Sequence, residues 1–257
     1  MIYNLILILL FLCLLPFSLV LIPFKPSLWR EAAERLGFYP KKVKQYLKGL
    51  NKEKHDIIWI NAASVGEIMM VQPLIKELGK LYPNTGYIIL TNSRSGQQMA
   101  NKLFGAEKVI LQPLDLPGIA RRVARRVKPK LTVLVEFEVW PNLSHYLLKA
   151  GSKVVLINGS MDNKLLKYYR LFPGLLKATL NRLDFLGMKT LPEVAKVKSL
   201  GVTASKIRIT GDLKYDGSFK IMGEDERKLL KDSLRIPDNG LVLVAGSTHP
   251  GEEEIIL

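Results

Sequence analysis

The sequence predicts an α/β protein: a doubly wound, Rossmann-like parallel sheet over residues 29–211, preceded by an apolar helix and followed by the start of a second α/β unit. Three observations predict it. From residue 57 onward, short apolar runs alternate with segments of helical period, the pattern of βαβ units in a parallel sheet. Residues 1–24 carry no charged side chain. After residue 216 the texture changes to a charged helix, a turn and a new apolar run.

The first segment, "MIYNLILILLFLCLLPFSLVLIPF", would rise roughly 36 Å as a helix at about 1.5 Å per residue, enough to cross a bilayer core. Pro16 is a candidate kink. There is no basic n-region and no clear small-x-small cleavage site, so an uncleaved anchor is expected rather than a signal peptide. Lys25, Arg30 and Arg35 follow, then Lys41, Lys42, Lys44, Lys48, Lys52 and Lys54. Basic flanks stay in the cytoplasm, which places the globular part on that side of an inner membrane. The same side chains suit an anionic membrane surface at about 1 kcal/mol each.

Strands are predicted at 57–62, 87–91, 108–112, 131–136, 153–157, 184–188 and 207–210. Helices are predicted at 67–81, 95–104, 118–127, 142–149, 164–182 (broken near Pro173-Gly174) and 192–200. Right-handed crossovers between parallel strands then wind the sheet in both directions. Beyond 216, "GEDERKLLKDSLRIPDNG" reads as a helix and turn, and "LVLVAGSTHPGEEEIIL" as a strand, a loop and the start of a helix. The domain plan is therefore 1–24 anchor, 25–215 Rossmann-like domain and 216–257 opening of a second domain.

Composition narrows the function classes. The net charge of +15 calls for an anionic partner. Positive charge beside an apolar anchor is better explained by a membrane than by nucleic acid. The one cysteine, Cys13, builds no disulfide framework, and His55, His145 and His249 show no ligand spacing, so no metal site is expected. No G-x-G-x-x-G follows the first strand, which argues against a dinucleotide enzyme.

Ligands of open parallel sheets bind beyond the carboxyl ends of the strands. On that rim fall Ser64, Gly66 and Glu67; Ser93, Ser95 and Gly96; Asp115; Glu136 and Glu138; Asn158 and Ser160; and Lys214. Ser64-x-x-Glu67 fits a capping box, in which the serine takes the N3 amide and the glutamate reaches back to the N-cap amide. Such a carboxylate can also take a proton, and the two roles are compatible. Glu136 closes an apolar strand, where a carboxylate is costly to bury unless paired or functional. The basic helix "RRVARRVKPK" is read as a solvated outer face rather than a lipid-phosphate contact.

"SVGE" after a strand, "EFEVWPNL", "GDLKYD" and "STHPGEEE" in this order, with "AERLGFY" and "LDLP", resemble the 3-deoxy-D-manno-octulosonic acid (Kdo) transferases of lipopolysaccharide synthesis. The resemblance implies a membrane-associated, two-domain glycosyltransferase of the GT-B kind. It would transfer Kdo from the nucleotide sugar CMP-Kdo to a lipid A precursor, lipid IVA, without a cofactor or metal. It implies that Glu67 is the catalytic base and that Glu136 and Lys214 stabilise the transition state. Ser64, Gly66, Ser95, Gly96 and Asn158 become candidates for acceptor contact. A positioned carboxylate and a lysine facing a leaving phosphate suit that chemistry.

The sequence departs from the family pattern in places. Asn61 stands where the family has a histidine, Asn158-Gly159-Ser160 where it has Asn-Ala-Arg, and Lys189-Thr190-Leu191-Pro192-Glu193 where it has a Gln-x-Glu-x-Asp-like stretch. The family's CMP-binding segments are expected beyond residue 257, so this chain alone is expected to bind CMP-Kdo poorly. The alternative reading is a non-catalytic, membrane-anchored acceptor-binding protein without the nucleotide-sugar site.

Overall fold

Valine, isoleucine and leucine dominate the inner strands because these are covered on both faces. The computed structural model describes residues 2–21, 26–162, 166–167, 173–217, 222–237, 239–246 and 248–256. Three helices come first: α1 (Ile2–Leu21), α2 (Pro26–Arg35) and α3 (Lys41–Lys52). The alternating part follows as β1 (Asp56–Asn61), α4 (Val65–Leu81), β2 (Thr85–Thr91), α5 (Arg94–Phe104), β3 (Val109–Leu111), α6 (Pro117–Val127), β4 (Leu131–Val135), α7 (Pro141–Lys149) and β5 (Lys153–Gly159). It closes with α8 (Pro173–Arg182), β6 (Phe185–Met188), α9 (Leu191–Ser199) and β7 (Ile207–Ile209).

The strands form a seven-stranded sheet in the order β3-β2-β1-β4-β5-β6-β7. Every pairing is parallel. The order reverses at β1, which has β2 on one side and β4 on the other, and ligands favour that crevice. The period-2 alternation of side chains builds a core on each face. Ile57 and Trp59 join one cluster with α3, α6 and α7, and Ile58 and Ile60 join the other with Ile68 and Val71 of α4. Helix α6 buries Ile119, Val123 and Val127, each contributing roughly 1.5–3 kcal/mol in proportion to the apolar area covered.

The strands and helices follow the expected alternation, with ends shifted by one or two residues. Helices α2 and α3 were not among the expected elements. Of the expected helix over 164–182, α8 is described, and residues 163–165 and 168–172 lie outside the described residues. Arg121, Arg122, Arg125 and Arg126 form an exposed face, as expected. Two of them also grip the chain: Arg126 donates to the Gly37 carbonyl at 2.8 Å, and Arg122 lies over the Phe38 ring at 5.1 Å. Arg35 corrects its assignment to a basic membrane flank. Its guanidinium donates to Asn92 O at 2.7 Å and Gln112 O at 3.2 Å, so it ties α2 to the ends of β2 and β3.

The chain divides into two compact units, Met1–Gly217 and Ser218–Leu257. The second contains a helix at Glu224–Ser233 and a short one at Glu253–Ile256. The strand expected at its apolar run does not form. Leu241, Leu243 and Val244 are exposed, and no neighbouring strand among the described residues completes a ladder. An apolar run becomes a strand only when backbone partners and a covering face are supplied.

The expected membrane span is not shown. Helix α1 exists, with Pro16 inside it, but among the described residues no helix is long and apolar enough to cross a membrane. Its first turns are instead fastened to the domain. The Tyr3 hydroxyl donates to Asp115 Oδ2 at 2.8 Å, and Asn142 Nδ2 donates to Asn4 Oδ1 at 2.8 Å.

Candidate active site

Strand β1 ends in small residues, and the chain turns into α4 through Ser64, whose extended backbone suits an N-cap. Ser64 Oγ accepts from the Glu67 amide at 3.3 Å and donates to Glu67 Oε1 at 2.8 Å. Glu67 Oε2 accepts from the Ala63 amide at 2.9 Å, one residue before the N-cap amide that a standard box would use. Both carboxylate oxygens are therefore held, and Glu67 is only 8% exposed. Burial pushes its carboxyl above the usual range. The Ala63 and Ser64 hydrogen bonds pull it down, and the Glu136 and Glu138 carboxylates push it up.

Strand β4, beside β1, delivers the other two carboxylates. Glu136 follows its last residue with φ at +57°, a left-handed conformation that costs a non-glycine residue about 1–3 kcal/mol. Glu138 Oε2 accepts from Trp140 Nε1 at 3.0 Å. Burial raises the Glu138 carboxyl, the Trp140 bond lowers it and Glu136 raises it. Glu67, Glu136 and Glu138 line a cavity of about 670 Å³, together with Phe137, Trp140, Ser160, Asp162, Leu175 and Leu176. Another wall comes from the first turns of α1: Tyr3, Ile6 and Leu7. The size lies within the range of small-molecule sites.

A cation beside this cluster is Lys189, which follows β6. Its Nζ lies 3.2 Å from Glu136 Oε1 and 3.6 Å from Asp212 Oδ2, and its side chain is 14% exposed. The ion pair weighed for Glu136 therefore forms, and Glu136 also faces the cavity. Lys214 is exposed and does not line it; its backbone amide donates to Asp212 Oδ1 at 3.0 Å. Asp212 thus contacts the Lys189 ammonium through one oxygen and the Lys214 backbone through the other.

The remaining candidates divide. Ser64 holds Glu67, and Gly66 is exposed on the first turn of α4, with nothing closer than 3.9 Å to an added Cβ. Ser95 and Gly96 sit at the next junction, where Ser93 Oγ accepts from the Gly96 amide at 3.0 Å and approaches Ser95 Oγ at 3.2 Å. Neither lines the carboxylate cavity. Asn158, with φ at +55°, is buried. Its Oδ1 accepts from the Leu213 amide at 3.0 Å, so it braces the chain just before the short helix Lys214–Gly217. Asp115 caps α7: its carboxylate accepts from the amides of Asn142 at 3.0 Å and Leu143 at 2.7 Å. Burial lifts its pKa to about 6 against those bonds.

Reading the sequence passed over Lys189 as a site residue, along with Trp140 and the α1 wall. The available signal for Lys189 was its place at the end of β6, on the same rim as Glu136.

A parallel α/β sheet of seven strands, with carboxylates gathered at its switch point, is the class that this fold and site define. A UDP-GlcNAc 2-epimerase from Neisseria meningitidis, solved with UDP-GlcNAc bound, matches with a TM-score of 0.50 at 14% identity. The match covers 72% of this chain and 55% of that one and speaks for the fold alone. The family model "3-Deoxy-D-manno-octulosonic-acid transferase (kdotransferase)" matches residues 30–217, and the chain belongs to that family.

A Haemophilus influenzae 3-deoxy-D-manno-octulosonic acid transferase is 31% identical over 235 residues, covering 90% of this chain and 52% of that protein. A Chlamydophila psittaci protein of the same name is 29% identical over 78% of this chain and 47% of its own length. A Fusobacterium nucleatum bifunctional glycosyltransferase/methyltransferase is 31% identical over 86% of this chain and 34% of its own length. The chain thus spans about half the length of the first two relatives and about a third of the last.

Proposed function

We propose that this chain forms the acceptor-side part of a glycosyltransferase that moves Kdo from CMP-Kdo to a lipid A precursor at the cytoplasmic face of an inner membrane. The observation that carries the reading is Glu67: a desolvated carboxylate, fixed through both oxygens, facing a cavity at the switch point of a Kdo transferase domain. In this reading an acceptor hydroxyl attacks the anomeric carbon of Kdo and Glu67 takes its proton. The bond to the CMP phosphate breaks and the electron pair leaves with the phosphate. Lys189 and Lys214 offset negative charge on that side, and Glu136 fixes Lys189. No step in this scheme calls for a metal.

The raised pKa of Glu67 suits a base working near neutral pH, because a stronger base takes the proton more readily. Membrane attachment rests on the apolar α1 and the basic residues after it, and the anionic leaflet would be its partner. The residues that hold CMP-Kdo are sought in the portion of the relatives that this chain does not span.

The test joins this chain to the remaining half of the Haemophilus influenzae relative and follows Kdo transfer to a lipid A precursor. Transfer that disappears in Glu67→Gln while lipid binding persists supports the reading. A joined protein that folds and binds the lipid but transfers nothing would leave the non-catalytic acceptor-binding alternative.

A further inference from the structure

Beside the carboxylate cavity lies a second one, of about 430 Å³, between α1, α2 and the loop from β3 to α6. Leu10, Phe11, Leu14, Trp29, Ala32 and Leu116 supply most of its wall. Leu7 and Trp140 line both cavities, so the two are neighbours along α1. The Tyr3–Asp115 hydrogen bond fastens the start of α1 at that junction. The first cavity gathers carboxylates, and the second is mostly aliphatic and aromatic.

Four wall residues are polar, Arg35, Asn92, Gln112 and Asp115, and one of them lacks partners for its side chain. Gln112 is 2% exposed, and neither Nε2 nor Oε1 of its amide has a hydrogen-bond partner among the described residues. A buried, unsatisfied amide is costly, and each such group calls for an explanation.

We propose that this groove binds an acyl chain of the acceptor, and that Gln112 partners the amide or ester group that links the chain to its sugar. The proposal rests on the acceptor reading and deepens it. A sugar in the carboxylate cavity would send its chain past Leu7 and Trp140 into the groove. The occupant is amphiphilic because the adjoining cavities differ in the same way: four carboxylates (Glu67, Glu136, Glu138 and Asp162) line the first, and the second is mostly apolar, with Arg35, Asn92, Gln112 and Asp115 at its polar margin. Helix α1 is then a wall of the substrate site.

The experiment uses the full chain in phosphatidylcholine nanodiscs, titrated with N-lauroylglucosamine brominated along its chain. Bromine quenches tryptophan on contact. The chain has three tryptophans; Trp29→Phe leaves Trp59, buried in the core, and Trp140, which lines the groove. Saturable quenching of Trp140 is expected. Ala32→Phe fills the groove, and Leu10→Asp charges a wall residue that is 53% exposed and so leaves the core intact. Each should weaken the apparent affinity by more than about tenfold, from lost chain burial.

Gln112→Leu should weaken the amide-linked probe by about three- to tenfold, the worth of one hydrogen bond, and leave an ether-linked lauryl glucoside unaffected. Quenching that stays saturable and equally strong in both Ala32→Phe and Leu10→Asp overturns the proposal, as does linear, unsaturable quenching in the parent. Because no transfer is measured, groove-specific quenching by a protein that proves inactive in the joined assay would sink the transferase reading and leave the groove standing.

Discussion

Two junctions on the sheet's rim are built alike and serve different ends. After β1, Ser64 caps α4 with φ −115° and ψ 166°; after β2, Ser93 caps α5 with φ −118° and ψ 156°. Each serine accepts from the amide three residues on. At that third position the first junction has Glu67 and the second has Gly96. Glu67 reaches back to Ala63 and faces the carboxylate cavity. At Gly96, an added Cβ would lie 2.2 Å from Thr91 Oγ1 and 3.0 Å from Ser93 Oγ. The first junction has room for a working side chain, and the second is closed by packing. The backbone device is the same, and the side chain at N3 decides what the junction does.

The largest expected effect breaks the first junction chemically. Glu67→Gln keeps the shape and a hydrogen-bond acceptor but removes the base. Turnover of the joined enzyme should drop about 10²–10⁴-fold while the chain still folds. Survival of normal turnover would reduce Glu67 to a helix cap.

Next comes the second junction. Gly96→Ala should destabilise the chain by about 1–3 kcal/mol in urea unfolding, because the new methyl meets the end of β2. A neutral result would show that α5 can shift outward at no cost.

The two serines sharpen the comparison. Removing either cap should cost about 1 kcal/mol. Only Ser64→Ala should also move the pH profile. The Ser64 hydroxyl lowers the Glu67 pKa, so its loss raises that pKa further. The base is then ionised only at higher pH, and the acid limb of transfer shifts upward. Ser93→Ala should leave that limb where it is.

The smallest effect is at Gly66. Open space around it means that Gly66→Ala should change stability by less than about 1 kcal/mol, in the stabilising direction. Any loss of transfer in that variant would then report on the acceptor rather than on the fold.

The parallel sheet could be read from the sequence because strands buried on both faces are near-continuous apolar runs, as at Ile57 to Ile60 and Leu131 to Val135. Ser64-x-x-Glu67 announced its own geometry, because capping is local. Lys189 did not, since its meaning depends on β6 lying two strands from β4 in the finished sheet. Gly96 looked like a binding residue because a glycine at a helix start has two uses, and only the distance to Thr91 distinguishes them. At Leu241 to Val244, hydrophobicity alone did not make a strand among the described residues.

The left-handed backbone of Glu136 has an evolutionary consequence. Glycine adopts φ near +57° without penalty, so Glu136→Gly would relax the turn after β4 by about 1 kcal/mol. The loss of the contact with Lys189 would offset part of that gain. A search for heat-resistant variants that ignored activity would tend to find this position early and erase the carboxylate. Persistence of a glutamate at position 136 in a strained conformation would then mark selection for what the carboxylate does, and a library screened for both traits would separate the two pressures at this one residue.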